Sequence, residues 1–391
     1  MIKHIFTGIV ILSVCGNCFS QKYKQWGALQ QGPYDIGFRV NHCVDYGRHV
    51  DVEDANMPKL KIIAPKQLTL FVWYPALGGG NVRHMLYHDY AILTKQITEP
   101  HQLTVQQERD ADSIIKLIAN NGVGVQLTGG EVKAIATTPV AAVKNAVPAA
   151  GKFPVILCGI QGGPSLNNVL FEYLASKGYV VVAGAGSKRE GKMEAFNPQM
   201  ALLERLGDME YMAGFAHSLS FADTTRTGLM GVNFEGMTAL LYQMKNQHAQ
   251  AVVSLDGWEG KEGSLGDLTK FVCYNPSAMT VPYFSVMQDE NPPPPGLTLT
   301  TAILDSLKNA ERYYYVLNGM RHSYLVAGLY ILPRLSEEKE AAYHFLYQSI
   351  GYFFDAFVKS SKDGLAYINR PAVDNGIPST IVKTELKKPA I

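Results

Sequence analysis

The sequence is poor in the residues that would indicate a disulfide scaffold or a strongly charged partner. It holds 5 cysteines in 391 residues, and two of them, Cys15 and Cys18, lie in the apolar N-terminal stretch. The other three, Cys43, Cys158 and Cys273, cannot all pair with one another and form no CxxC set, so their disulfide state stays open. A formal net charge of +1 gives no reason to expect nucleic acid or an anionic membrane as a partner.

Long apolar runs are also lacking after the first twenty residues. The start, MIKHIFTGIVILSVCGNCFSQ, has a short basic beginning and an apolar stretch that is too short to span a bilayer comfortably. This pattern is typical of a secretory signal peptide, residues 1–20, with cleavage near Ser20. We therefore expect an exported chain, periplasmic or secreted, without integral membrane association.

The rest of the chain has the composition of a soluble globular protein, with 47% hydrophobic and 18% charged residues. After a loop-rich region, QLTLFVWYPA predicts a strand, residues 83 to 120 are compatible with helices, and VKAIATTPV predicts another strand. Six short apolar runs then alternate with helical segments: FPVILCG, VVVAGAG, GLMGV, AVVSLDG, VPYFSVMQD and RYYYVLNG. This alternation predicts an α/β fold with a mostly parallel sheet of about eight strands and helices on both faces.

One α/β domain is expected over residues 21–380. Residues from about 80 to 130 are expected to form a helical, lid-like insertion. Residues 381–391, which are basic and contain proline, are expected to be a flexible tail.

The stretch GLMGVNFEGMTAL combines a strand, a glycine-flanked turn and a helix start. This is the layout of a nucleophile elbow, whose signature is G-x-S-x-G. Here Gly231 fits the first glycine, but Asn233 stands at the apex and Glu235 at the second small position. Two acidic residues, Asp256 and Asp289, end the next two strand-like runs, and His322 follows the last one. The order nucleophile, acid, base is that of α/β-hydrolases.

These motifs resemble a known group of enzymes. GPYDIGFRV, LTLFVWYPA, FPVILCGIQGGPSLNNVLFEYLASKGYVVVA, GLMGVNFEGMTAL, AVVSLDGW and GMRHSY are similar to the platelet-activating factor acetylhydrolase and dienelactone hydrolase group of α/β-hydrolases. The resemblance covers most of the mature chain apart from about 80 to 130. It implies a serine esterase without metal or organic cofactor.

Carried over by position, the resemblance implies particular site residues. The nucleophile position falls on Asn233, the acid on Asp256, with Asp289 as the alternative, and the base on His322. The oxyanion donors would be the backbone N–H groups of Gln161 and Phe234. The chain departs from the pattern at Asn233, at Glu235 and at Gly159-Ile160, where a His-Gly pair usually opens the oxyanion loop.

Each departure bears on the chemistry. An amide nitrogen is delocalised into its carbonyl group, so His322 cannot activate Asn233 as it would a hydroxyl. Glu235 is expected to bring negative charge near a developing oxyanion. Asn nevertheless tolerates the positive φ that an elbow apex requires. We therefore expect a hydrolase fold that binds a small ester, lipid or sugar-derived ligand after losing serine-esterase chemistry.

Three alternatives stay open. An active hydrolase could activate water through His322 with Asp256 or Glu235, and a conventional esterase could use Ser165 or Ser323. The helical spacing of His84 and His88, with Asp89 beside them, could hold zinc, but no third ligand is evident and no metal site is expected. Oligomeric state does not follow from the sequence.

Overall fold

A computed structural model describes residues 24–53, 61–78, 83–95, 104–160, 162–185, 197–289, 298–326 and 335–389. The predicted signal peptide and its cleavage point lie outside these residues. None of the helices in the described ranges combines the length and apolarity needed to cross a membrane.

In the described parts of the chain, ten strands form one mixed sheet in the order β10-β9-β8-β7-β6-β4-β5-β2-β1-β3. Their bounds are Asp35–Glu53 (β1), Lys61–Ala76 (β2), Ala142–Lys144 (β3), Phe153–Ile160 (β4), Val180–Ala185 (β5), Ala222–Val232 (β6), Ala251–Leu255 (β7), Tyr283–Asp289 (β8), Arg312–Asn318 (β9) and Val382–Lys387 (β10). Strands β4 to β9 are parallel, whereas β2 and β10 run antiparallel to their neighbours. The predicted α/β layout is thus confirmed, with ten strands rather than about eight.

Helices cover both faces of the sheet, which leaves the central strands β4 and β7 buried along their whole length. The bounds of the helices are Tyr87–Lys95 (α1), Val105–Val123 (α2), Gly129–Ala136 (α3), Asn168–Ser176 (α4), Pro198–Ala216 (α5), Phe234–Asn246 (α6), Ser264–Leu268 (α7), Ala302–Ser306 (α8), His322–Val326 (α9), Glu337–Val358 (α10) and Lys362–Ile368 (α11). Two apolar cores result, one on each side of the sheet.

Three local predictions were wrong. The region predicted to be loop-rich contains β1, a polar strand near the edge of the sheet that pairs with β2 over most of its length. VKAIATTPV lies largely in α3, because Thr128 and Glu131 form a capping box and the buried Val132, Ile135 and Ala136 have helical spacing.

The tail predicted to be flexible contains β10, which pairs antiparallel with β9 along the edge of the sheet. Val382 is fully buried there. Val382, Thr384 and Leu386 lie on one face of the strand and the charged Lys383, Glu385 and Lys387 on the other, which suits a strand with one face on the core.

A buried carboxyl group joins the N-terminal segment, the insertion and the sheet layer. Glu172 of α4 accepts hydrogen bonds from Trp26 Nε1 (3.1 Å), Tyr90 Oη (2.9 Å) and the backbone N–H of Ala141 (3.2 Å). Tyr90 Oη in turn accepts a bond from Trp73 Nε1 of β2 at 2.8 Å. Burial raises the pKa of Glu172 from 4.5 to about 7, although all three bonds lower it.

The parallel strands place their carboxyl ends along one edge of the sheet. Residues that follow β4, β6, β7, β8 and β9 therefore come together there.

Candidate active site

Asn233 forms a sharp turn between β6 and α6. Its backbone has φ 60° and ψ −128°, a conformation that few residues other than glycine adopt. Its N–H donates to the Leu255 carbonyl oxygen at 2.9 Å, and its own carbonyl oxygen accepts from Gly236 (2.9 Å) and Trp258 (3.2 Å). The first turn of α6 and the residues after β7 thus hold this turn in place.

The small residue before the turn is a steric necessity. A Cβ atom on Gly231 would lie 2.0 Å from the carbonyl oxygen of Glu235. A second close approach occurs at Gly236, where a Cβ would meet Ser254 Oγ at 2.1 Å. The turn is therefore as tight as the elbow pattern in the sequence predicts.

Asp256 and His322 are in contact. Asp256 follows β7, its N–H donates to the Val286 carbonyl oxygen at 2.7 Å, and its side chain is 3% exposed. Asp256 Oδ2 lies within hydrogen-bond distance of His322 Nδ1. A carboxylate at Nδ1 fixes the proton on that nitrogen, which leaves the lone pair of Nε2 available as a base. Because the imidazole is 30% exposed, a ligand or water can reach it.

Asp289, the alternative acid, is exposed at the end of β8. Its backbone carbonyl oxygen accepts a bond from the Gly319 N–H at 3.2 Å, which joins the ends of β8 and β9. The carboxylate in contact with His322 is that of Asp256, not that of Asp289.

Glu235 is buried and forms an ion pair with Arg205 of α5. The Arg205 guanidinium also lies over the ring of Phe234, 5.2 Å from its centroid. A Cβ atom on Gly159 would lie 2.7 Å from Glu235 Oε2 and 2.8 Å from Glu235 Cβ. The side chain of Glu235 thus fills the space that glycine leaves at the end of β4, and its charge is balanced by Arg205.

A second buried carboxyl group lies behind the elbow. Glu259 Oε1 accepts bonds from Ser254 Oγ and from Tyr283 Oη, the latter at 2.7 Å. Burial raises the pKa of Glu259 despite these two donors, and the charge of Asp256 adds to the rise. Sequence reasoning missed Glu259, because nothing in DGWEG separates a buried carboxyl from a surface one.

The proposed oxyanion donors and the alternative serine nucleophiles lie in different parts of the chain. Gln161 lies outside the described residues, and Phe234 is the first residue of α6. Ser165 is fully buried and within 2.7 Å of Thr94 Oγ1, so a substrate cannot reach it, while Ser323 follows His322 in α9.

The three possible zinc ligands have other contacts. His84 Nδ1 is 3.2 Å from the Ala141 carbonyl oxygen, His88 pairs with Asp89 at 3.3 Å, and Asp89 accepts the Leu86 N–H. Nowhere in the described ranges do three or more His, Cys, Asp or Glu side chains cluster as metal ligands would. Cys43, Cys158 and Cys273 are not joined by disulfides.

Comparison with known proteins supports the fold more than the chemistry. No family model matches the sequence, and no curated protein matches it. Among solved structures, a ferulic acid esterase from Streptomyces cinnamoneus superposes with a TM-score of 0.58 over 93% of this chain and 99% of the esterase, at 16% sequence identity. The class defined by the sheet and the elbow is thus the α/β-hydrolase fold. The superposed structure is that of an esterase, but at 16% sequence identity the similarity shows the fold alone.

Proposed function

We propose that this chain is an exported protein of the carboxylic-ester hydrolase type that has lost serine-esterase chemistry. It binds a small ester, lipid or sugar-derived ligand above Asn233 and His322 without turning it over. It is proposed to be related to the platelet-activating factor acetylhydrolase and dienelactone hydrolase group. No cofactor takes part.

The observation that carries this proposal is an elbow with an amide at its apex beside a formed acid–base pair. Asp256 and His322 have the contact that orients an imidazole for proton transfer. Asn233 has the backbone of an elbow residue. Its side chain offers no hydroxyl to deprotonate, and removing the nucleophile from such a triad leaves only about 10³–10⁴-fold catalysis over water.

The negative charge of Glu235 opposes anion binding less than the sequence alone suggests. Its carboxylate is paired with Arg205 and packs against Gly159, so its charge is largely balanced. Under this proposal the N-terminus of α6 still attracts a carbonyl or carboxylate group of the ligand, because Phe234 begins that helix.

The insertion that contains α1, α2 and α3 is proposed to frame the ligand site. Helix α1 holds the segment after β4, since Tyr87 Oη donates to the Ser165 carbonyl oxygen at 2.9 Å. Helix α2 packs on α9, the helix that begins with His322. Tyr87 and Tyr90 are fully buried, so they serve packing and do not line a site. The insertion thus links the Ser165 segment after β4 to the helix that begins with His322.

A second candidate function is hydrolysis by activated water. It is favoured by the contact between Asp256 and His322, which leaves Nε2 of the imidazole as a general base. Glu235 suits this role less well, because an arginine partner favours the ionised form of a carboxyl group and weakens it as a base.

Aryl acetate turnover by the wild type, Asn233→Ser and Asn233→Ala separates the two candidates. The binding proposal expects activity in Asn233→Ser alone. Wild-type turnover that persists in Asn233→Ala and disappears in His322→Ala would instead establish the water mechanism. Folded Asn233→Ser without activity would show that the site has lost more than its nucleophile.

A further inference from the structure

We infer that Asn233 is a self-modification site, at which the backbone nitrogen of Phe234 attacks Cγ of the Asn233 side chain and closes a succinimide ring. The bond between Cγ and Nδ2 breaks, and ammonia leaves with the proton from the Phe234 amide. Water then opens the ring at either carbonyl group, giving aspartate or isoaspartate. The net reaction exchanges ammonia for water and needs no other reactant.

The backbone torsion of Asn233 supplies the geometry for ring closure. The five-membered ring contains Cγ, Cβ, Cα and the carbonyl carbon of Asn233 together with the Phe234 nitrogen. In an L-residue these atoms become nearly coplanar when ψ is roughly −120°, because the following nitrogen then eclipses Cβ. Asn233 has ψ −128°. In an ordinary helix or strand ψ is far from this value, and the nitrogen points away from Cβ.

Hydrogen bonds hold this torsion in the folded chain. The N–H of Asn233 is tied to Leu255, and its carbonyl oxygen is tied to both Gly236 and Trp258. The peptide plane between Asn233 and Phe234 is therefore fixed on both sides. The same constraint that would aim a serine hydroxyl in an esterase here aligns an amide carbon with a backbone nitrogen.

Folding should consequently accelerate the reaction, whereas it usually protects asparagine. A ψ near −120° lies outside the three regions of φ/ψ space that L-residues ordinarily adopt, so an unfolded chain reaches the closing geometry rarely, and folding enriches it by roughly tenfold or more. The bulky Phe234 side chain further slows closure in an unfolded chain by crowding the nitrogen. Attack also builds negative charge at the first residue of α6, where the helix dipole stabilises an anion.

Three other asparagines serve as controls within the same chain. Asn167 has ψ 17°, Asn197 has ψ 104° and Asn369 has ψ −9°. In each of them the following nitrogen is far from eclipsing Cβ. The inference therefore predicts that Asn233 reacts before these three.

The test is peptide mapping of the full chain after incubation at neutral pH, in native buffer and in urea. Trypsin releases residues 227–245 as one peptide, in which Asn233 is the sole asparagine. Digestion at mildly acidic pH preserves the imide, and fragmentation by electron transfer separates aspartate from isoaspartate. Asn233→Gln is the matched variant, because its longer side chain would have to close a six-membered ring.

We expect imide, aspartate and isoaspartate at position 233 to form at least about tenfold faster in the native chain than in urea. The rate should also exceed that at the three control asparagines, and Asn233→Gln should remain an amide. A native rate equal to or below the rate in urea would overturn the inference, as would aspartate formed with no imide or isoaspartate. The readout is a mass change, so it is independent of ligand binding and of esterase activity.

Discussion

Glu172 makes folding stability depend on pH in a direction that can be worked out from its surroundings. The side chain is fully buried, and its pKa is about 7 in the folded protein against an ordinary value of 4.5. Between these two values the folded chain keeps a proton that the unfolded chain has lost. The free energy of unfolding therefore falls as pH rises through this window.

The size of this effect follows from the same two values. One pKa unit corresponds to about 1.4 kcal/mol, so Glu172 lowers the free energy of unfolding by about 3 kcal/mol between pH 4.5 and 7. The contribution levels off above pH 7, where both states are ionised.

Urea unfolding of wild type and Glu172→Gln across pH 4.5 to 8 measures this contribution as the difference between the two curves. The variant cannot ionise, so it should lose about 3 kcal/mol less than the wild type over that range. Glu210→Gln is the surface control, because Glu210 is part of an exposed ion pair with Lys245. Parallel curves for wild type and Glu172→Gln would show that Glu172 keeps no proton in the folded chain over this range.

Three further predictions concern the elbow. Arg205→Met should lower the free energy of unfolding by about 3 kcal/mol at neutral pH, because it leaves the buried carboxylate of Glu235 unpaired. In urea titrations, the double variant Arg205→Met/Glu235→Gln should recover part of this loss. Gly159→Ala should cost about 1–3 kcal/mol, because its Cβ would lie 2.7 Å from Glu235 Oε2. The double variant Gly159→Ala/Glu235→Gly should lose less than the two single losses combined, and strict additivity in thermal melts would contradict the packing described. In an active Asn233→Ser background, Asp256→Asn should reduce kcat by about 10⁴-fold, since the imidazole loses its tautomer, whereas the same loss from Asp289→Asn would point to the wrong acid.

The strands that hold the candidate site could be predicted because their signals are local. Each parallel strand is a short apolar run that ends in a glycine or a polar residue, and the G-x-N turn follows one of them. Parallel strands bring their carboxyl ends together, so Asn233, Asp256 and His322 were expected at one edge of the sheet. The spacing of residues could not by itself decide between Asp256 and Asp289, because both end a strand.

What the sequence could not predict depends on packing between distant segments. Arg205 lies thirty positions before Glu235, and only the placement of α5 against α6 brings their charges together. The buried states of Glu172 and Glu259 likewise follow from neighbours far along the chain. Strand β1 was missed although Ile36, Phe38 and Val40 alternate with glycine and polar residues as in a strand. Strand β10 was missed because Lys and Pro near the end of the chain suggested a flexible tail.

Under the proposed function, the elbow, the acid Asp256 and the base His322 are in place and the nucleophile alone has been lost. A fluorophosphonate probe, with its adducts mapped by mass spectrometry over the whole tryptic digest including the peptide of residues 227–245, gives the sharpest check. We expect no adduct on the wild type, an adduct at position 233 in Asn233→Ser, and loss of that adduct when His322→Ala is added. Labelling of the wild type at any serine, or a folded Asn233→Ser that stays unlabelled, would contradict it.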